Sequence, residues 1–290
     1  EVTWAERLGF PAGKIVIMFH ADDMGMCEET NDATIKLFEN NKIQSASAMP
    51  PCPGFKDAIE WAKNNPDADV GLHLSFTNAM KFPNWGTVAN PKEVPGLLNT
   101  AGYMWKTVEQ VAENATAEEV EKELRAQIEK SLALGFQPKH IDSHMGTLYS
   151  STEYTEVYIK LSEEYGIPIS NLSIRYGLTD KQKELIQHYS MPKFDYSLSI
   201  PWEFGDTYEE MREKLIRMIE SLKPGINYIA VHPQVKSNRN EKLTKIWQYR
   251  VWQTDLLFDP LVTEVLEKDD IMYTNWKDIM QRYERHKKSS

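Results

Sequence analysis

The feature that most constrains the fold is a recurring change of hydrophobic period. Short runs of apolar or small residues, at 15–19, 43–49, 69–75, 139–143, 167–170, 194–200, 227–231 and 271–274, are too brief for helices and read as buried strands. Between them lie segments with helical spacing of apolar residues, at 28–41, 55–64, 117–134, 152–165, 180–188, 208–222 and 242–266, with a closing helix after 274. No β-hairpin signal joins consecutive runs. About eight strand–helix units in series predict a parallel sheet, and that number fits a (β/α) barrel, with a doubly wound open sheet as the alternative. No linker divides the chain, so residues 1–290 are expected to form one domain.

Residues 76–115 interrupt the rhythm. A connection this long is functional or disordered, and Phe82, Trp85, Tyr103 and Trp105 among Pro and Gly argue against disorder. The loop is expected at the rim of the active site. There Trp85 and Trp105 either offer flat apolar faces to a sugar ring or pack the loop onto the barrel.

With 41% hydrophobic and 11% aromatic residues, the chain has enough apolar sequence for a full core. A net charge of -10 and a pI near 5.3, with no compensating basic block, exclude nucleic acid and an anionic membrane as main partners. No apolar run is long enough to span a bilayer. The chain begins at Glu1, which suggests a processed or trimmed terminus, so a cytoplasmic or an exported location both stay open. Cys27 and Cys52 make neither a disulfide framework nor a zinc-finger spacing.

The chemistry collects at strand ends. Residues 15–19 run directly into His20, Ala21, Asp22 and Asp23, and adjacent carboxylates at the mouth of a buried strand need a cation or a proton to relieve them. His73, His144 and His232 fall at or just beyond three further strands, on the rim where α/β barrels gather catalytic groups. One such histidine alone reads as a structural group. Several together with paired carboxylates read as a metal site, and imidazole with carboxylate suits Zn²⁺ and related divalent ions. The sequence holds no His-Glu-x-x-His helix, Gly-x-Ser-x-Gly elbow, P-loop or Gly-x-Gly-x-x-Gly turn.

The segments His20-Ala-Asp-Asp-Met-Gly25, Gly71-Leu-His-Leu74, His140-Ile-Asp-Ser-His144 and His232-Pro233 occur in the order and approximate spacing of the YdjC-like carbohydrate deacetylases, a family the chain resembles from about residue 14 to its last helix. The resemblance implies a distorted TIM-like barrel related to polysaccharide deacetylases, and metal-dependent removal of N-acetyl groups from amino sugars or oligosaccharides, with Zn or Mg in the site. It implies Asp23, His73 and His144 as metal ligands, Asp22 as catalytic base and His232 as general acid. His20 is a further candidate for the site. His140 is expected to support His144 from behind. Arg250 and Asp255 match a family arginine and acid loosely, and a surface salt bridge explains them equally well. Met145-Gly146-Thr147 stands where many members have further histidines, which bears on the identity of the sugar.

The expected reaction is attack of a metal-activated water on the acetyl carbonyl, with Asp22 taking a proton and His232 giving one to the amine. An acetylated amino sugar is thus the expected partner, and association of subunits stays open. The rival readings are a metal-dependent sugar isomerase and a carbohydrate-binding protein without activity.

Overall fold

The first apolar run extends beyond its apolar residues. In the computed structural model, which describes residues 2–172, 177–200 and 205–287, strand β1 (Ile15–Met24) carries His20, Asp22 and Asp23 within its last five positions. A short helix α1 (Trp4–Arg7) precedes it. There follow α2 (Glu28–Glu39), β2 (Ser45–Ala48), α3 (Phe55–Asn64), β3 (Val70–Leu74), α4 (Val108–Asn114), α5 (Ala117–Ala133), β4 (Ile141–Ser143), α6 (Thr152–Tyr165), α7 (Asp180–His188), β5 (Tyr196–Ser199), α8 (Tyr208–Glu220), β6 (Gly225–Val231), α9 (Asn240–Leu243), α10 (Trp247–Leu256), α11 (Pro260–Leu266), β7 (Ile271–Tyr273) and α12 (Trp276–Lys287).

The strands pair in the order β4-β3-β2-β1-β6-β5, all in parallel, and β7 also pairs with β1. β6 runs along one edge of β1 from Ile15 to Ala21. The other edge is shared by β7 at Ile15–Ile17 and by β2 from His20 upward. Three strand spacings separate β1 from β4, roughly 14 Å in a flat sheet. The rings of His20 on β1 and His140 at the foot of β4 are nonetheless 5.2 Å apart. The sheet is therefore curled into a half-barrel, a distorted TIM-like form, and not an open doubly wound sheet.

Alternation along the strands sorts the core into two. Ile17, Phe19 and Ala21 face outward and pack with Leu37 of α2 and Leu124 of α5. Val16 and Met18 face inward and pack with Tyr228, Phe194 and Trp276, which fill the lower part of the barrel.

Two expected elements differ. The run at 167–170 forms one bridge, Ile169 to Ile141, in place of a strand, because Pro168 has no N–H to extend the ladder. Seven strands, not eight, therefore form the described sheet. The segment 242–266 is three short helices rather than one. Thr244 is extended, with φ -154° and ψ 154°, and Pro260 occupies the first turn of α11 with Asp259 as its N-cap.

Residues 76–115 are ordered by two acids on α5, the half-buried Glu119 and the buried Glu123. Glu119 closes a capping box with Thr116 and accepts the Gly96 N–H at 2.6 Å. Glu123 accepts the N–H groups of Val88 (2.9 Å) and Ala89 (2.8 Å). Burial pushes the Glu123 carboxyl up to about 7, against the pull of those hydrogen bonds. Between the ordinary value of 4.5 and about 7 the folded chain holds a proton that the unfolded chain releases, so stability falls as pH rises through that window. Glu123→Gln is expected to flatten this slope, measured by urea unfolding at about pH 5 and about pH 8. Equal slopes in both proteins would remove Glu123 as its source.

Candidate active site

Strand alternation lines the barrel interior with polar side chains. Positions 20 and 22, 45 and 47, 71 and 73, 140 and 142, and 228 and 230 share the inward parity. Asp23 breaks that parity. Its φ of 66° is left-handed, and the pairing of β1 with β2 shifts register between Ala21 and Met24. A non-glycine residue rarely adopts this conformation, and here it turns a second carboxylate to the same side as Asp22.

Three atoms converge at the rim. Asp23 Oδ1 lies 3.3 Å from His73 Nε2 and 3.2 Å from His144 Nδ1, and the two nitrogens are 3.1 Å apart. All three residues are buried, and neither imidazole gives this carboxylate oxygen an aligned hydrogen bond. Neighbouring ligands stand roughly 3.3–3.6 Å apart on a tetrahedral Zn²⁺ and about 3.0 Å apart on an octahedral Mg²⁺. The triangle lies between these spacings, and its N₂O donor set fits a divalent cation.

Charge is balanced from behind. Arg250 Nη2 donates to Asp23 Oδ2 at 2.6 Å, with both side chains buried. Burial would raise the Asp23 pKa, but Arg250 and the two histidines hold it well below the usual carboxylate range. Burial depresses His73 as well, yet the carboxylates of Asp142 and Asp22 win and keep its pKa well above normal. For His144 burial prevails over Asp23, and its pKa is lowered.

Beside the triangle opens a cleft of about 1250 Å³, bordered by Asp22, His73, Met145, Tyr149, Tyr196 and His232 among others. Asp22 is 3.4 Å from His232 Nε2 through Oδ2, and 3.4 Å from both His20 Nε2 and the Tyr228 hydroxyl through Oδ1. A carboxylate and an imidazole thus face the cleft next to a candidate cation site.

Below the rim lies a second polar layer. Asp142 meets His73 Nδ1 at 2.5 Å and His20 Nε2 at 2.9 Å. His20 also contacts Ser45 and Ser47, each at 3.0 Å. His140 belongs to this layer and does not back His144. Its Nε2 is 3.0 Å from Ser45 Oγ and 3.0 Å from Asp69 Oδ1, because it stands four residues before His144 and so one layer deeper. Gly71 makes room for it, since a Cβ there would come within 2.3 Å of His140.

Arg250, expected either here or in a surface pair, is a buried partner of Asp23. Asp255 is five residues further along α10 on another face and exposed. Trp85 and Trp105 do not border the cleft. Trp85 is 4% exposed among Met26, Met49 and Met104, and its indole N–H donates to Thr77 O. The indole of Trp105 is half-buried and donates to Gly96 O. Both rings hold the loop together. Trp85→Phe is expected to leave KM unchanged and to lower stability by about 1 kcal/mol through the lost hydrogen bond. A raised KM would return that ring to the sugar site.

Sequence reasoning missed Asp142, Tyr228, Ser45 and Asp69. The inward parity of 140, 142 and 144 was the available signal for Asp142.

A curled parallel sheet gathers two imidazoles and a carboxylate at its C-terminal rim, a donor set that could hold a divalent ion, beside a half-buried carboxylate and imidazole that face a cleft. The chain belongs to the YdjC-like protein family, whose model matches residues 16–268. It is 28% identical over 270 residues to the carbohydrate deacetylase of Thermus thermophilus, covering 90% of this chain and 92% of that one. It is 26% identical over 267 residues to that of Enterococcus faecalis, covering 91% and 97%. A crystal structure from Enterococcus faecalis, named for a proposed role in cellobiose-phosphate cleavage, superposes with a TM-score of 0.78 at 25% identity over 92% of this chain and 98% of that one.

Proposed function

We propose that this protein is a metal-dependent carbohydrate deacetylase that hydrolyses N-acetyl, or O-acetyl, groups on amino sugars or oligosaccharides. The observation that carries the reading is the pairing of a three-donor triangle with Asp22 and His232 at one cleft. The relatives named as carbohydrate deacetylases support the same chemistry.

Asp23, His73 and His144 would hold the ion, Zn²⁺ or Mg²⁺. Once bound, a divalent ion polarises a carbonyl oxygen and lowers the pKa of water toward about 7. Asp22 is not part of that triangle, and it takes the proton of the water that attacks the acetyl carbon. His232 gives a proton to the departing amine nitrogen, which otherwise leaves poorly. The polar, tyrosine-lined cleft orients the sugar. The 76–115 loop borders this site, a reading supported by the Thr77 hydroxyl donating to Met145 Sδ at 3.3 Å, directly after His144. A protein that only binds sugar has no use for a carboxylate poised beside the triangle. No described helix is long and apolar enough to cross a membrane.

The test is acetate release from N-acetylglucosamine oligosaccharides by metal-stripped protein, before and after adding Zn²⁺ or Mg²⁺. Release that depends on the ion is expected. No release with the ion bound, across a panel of acetylated sugars, would remove the deacetylase reading.

A further inference from the structure

A neutral imidazole can present Nε2 to a cation only if its proton sits on Nδ1. For His73 that choice is contested. Asp23 Oδ1 stands 3.3 Å from Nε2 and attracts the proton to that side, which would block the ligand position. Asp142 Oδ1 stands 2.5 Å from Nδ1 and attracts it to the other. An ionised carboxylate is acceptor-only, so the close contact at Asp142 Oδ1 calls for an N–H from the ring that faces it. Oδ1 takes it from His73, while Oδ2 lies 2.9 Å from His20 Nε2 without an aligned hydrogen bond.

Asp142 is itself tied in place. His20 Nδ1 is 3.0 Å from Ser45 Oγ, which is 3.0 Å from His140 Nε2. His140 leans on Asp69, whose other oxygen accepts the Trp276 N–H at the start of α12. Every side chain in this chain of contacts is buried. The network therefore reaches from the cleft, where His73 and Asp142 border it, to the base of the barrel through buried side chains.

We propose that Asp142, packed against His20, is the positioning residue that locks His73 in the Nδ1–H tautomer and so presents Nε2 to the cation. The inference rests on the metal-site reading above. Its test compares Zn²⁺ dissociation constants by chelator competition for the wild type, Asp142→Ala and Asp142→Asn. The ¹⁵N shifts of the His73 ring in metal-free protein are recorded alongside, at a pH high enough for the wild-type ring to be neutral. Asp142→Ala is expected to weaken Zn²⁺ binding about 10–100-fold and to move the His73 proton to Nε2. Asp142→Asn keeps one oxygen for Nδ1–H and is expected to recover most of that loss. Should the alanine variant fail to fold, as judged by the melting of metal-free protein, Asp142→Leu removes the acceptor while keeping a side chain branched at the same carbon. Binding within about threefold of wild type in the variant without an acceptor, or equal losses with and without one, would overturn the role. A wild type that binds no Zn²⁺ would bring down the metal site and this inference together. Wild-type binding with indifferent variants brings down this inference alone.

Discussion

Asp22→Asn is expected to lower kcat by about 10²–10⁴-fold while the protein keeps its full complement of metal. The amide preserves shape and hydrogen-bonding reach but takes up no proton at neutral pH. Asp22 is the partly exposed carboxylate of the pair, bordering the cleft, whereas Asp23 is buried against Arg250 and two imidazoles. An alternative donor set exists in Asp22, His73 and Asp142, whose atoms also approach one another closely. It is the poorer set, because Asp142 Oδ1 is already engaged by His73 Nδ1 and Oδ2 lies against His20. Metal content per chain together with kcat separates the two. Lost metal in Asp22→Asn would make Asp22 a ligand, and a kcat within about tenfold of wild type would move the base elsewhere.

The division between what sequence reveals and what it hides is physical. The strand–helix alternation and the histidines at strand ends follow from periodicity, which is local. The curl of the sheet was open between two topologies, since curvature depends on which inner side chains meet across three strands. His20 and His140 are that meeting. The two breaks in the segment 242–266 differ in kind. Pro260 is a visible stop, yet the apolar spacing runs straight across it. Thr244 carries no signal of its extended backbone.

Within the site, one residue decides how the motif works. Read as a plain strand, Asp22 and Asp23 would point to opposite faces and could not share a centre. The left-handed backbone at Asp23 brings them together, and nothing in its neighbours' composition announces it. Ser45 and Ser47 look like small residues chosen to let a strand pack. They are the hydroxyls that hold His20. His140 opens the motif that ends in His144, but four residues along a strand is a change of depth, which sequence adjacency conceals.

Arg250→Met is expected to lower the stability of metal-free protein by about 3–5 kcal/mol, because it leaves Asp23 as a buried carboxylate without its cation. Methionine keeps much of the side-chain volume, so the loss is electrostatic rather than a cavity. A divalent ion in the triangle supplies positive charge on the other oxygen of the same carboxylate. The loss should therefore shrink when Zn²⁺ saturates the protein, since the ion binds the folded chain and not the unfolded one. Urea unfolding with EDTA and with excess Zn²⁺ measures both values. The same loss in the two conditions would mean that Arg250 and the ion do not act on one carboxylate, and Asp23 would then cease to be a candidate ligand. A smaller loss with Zn²⁺ ties the buried arginine and the rim triangle to a single group, and it does so without any substrate or turnover.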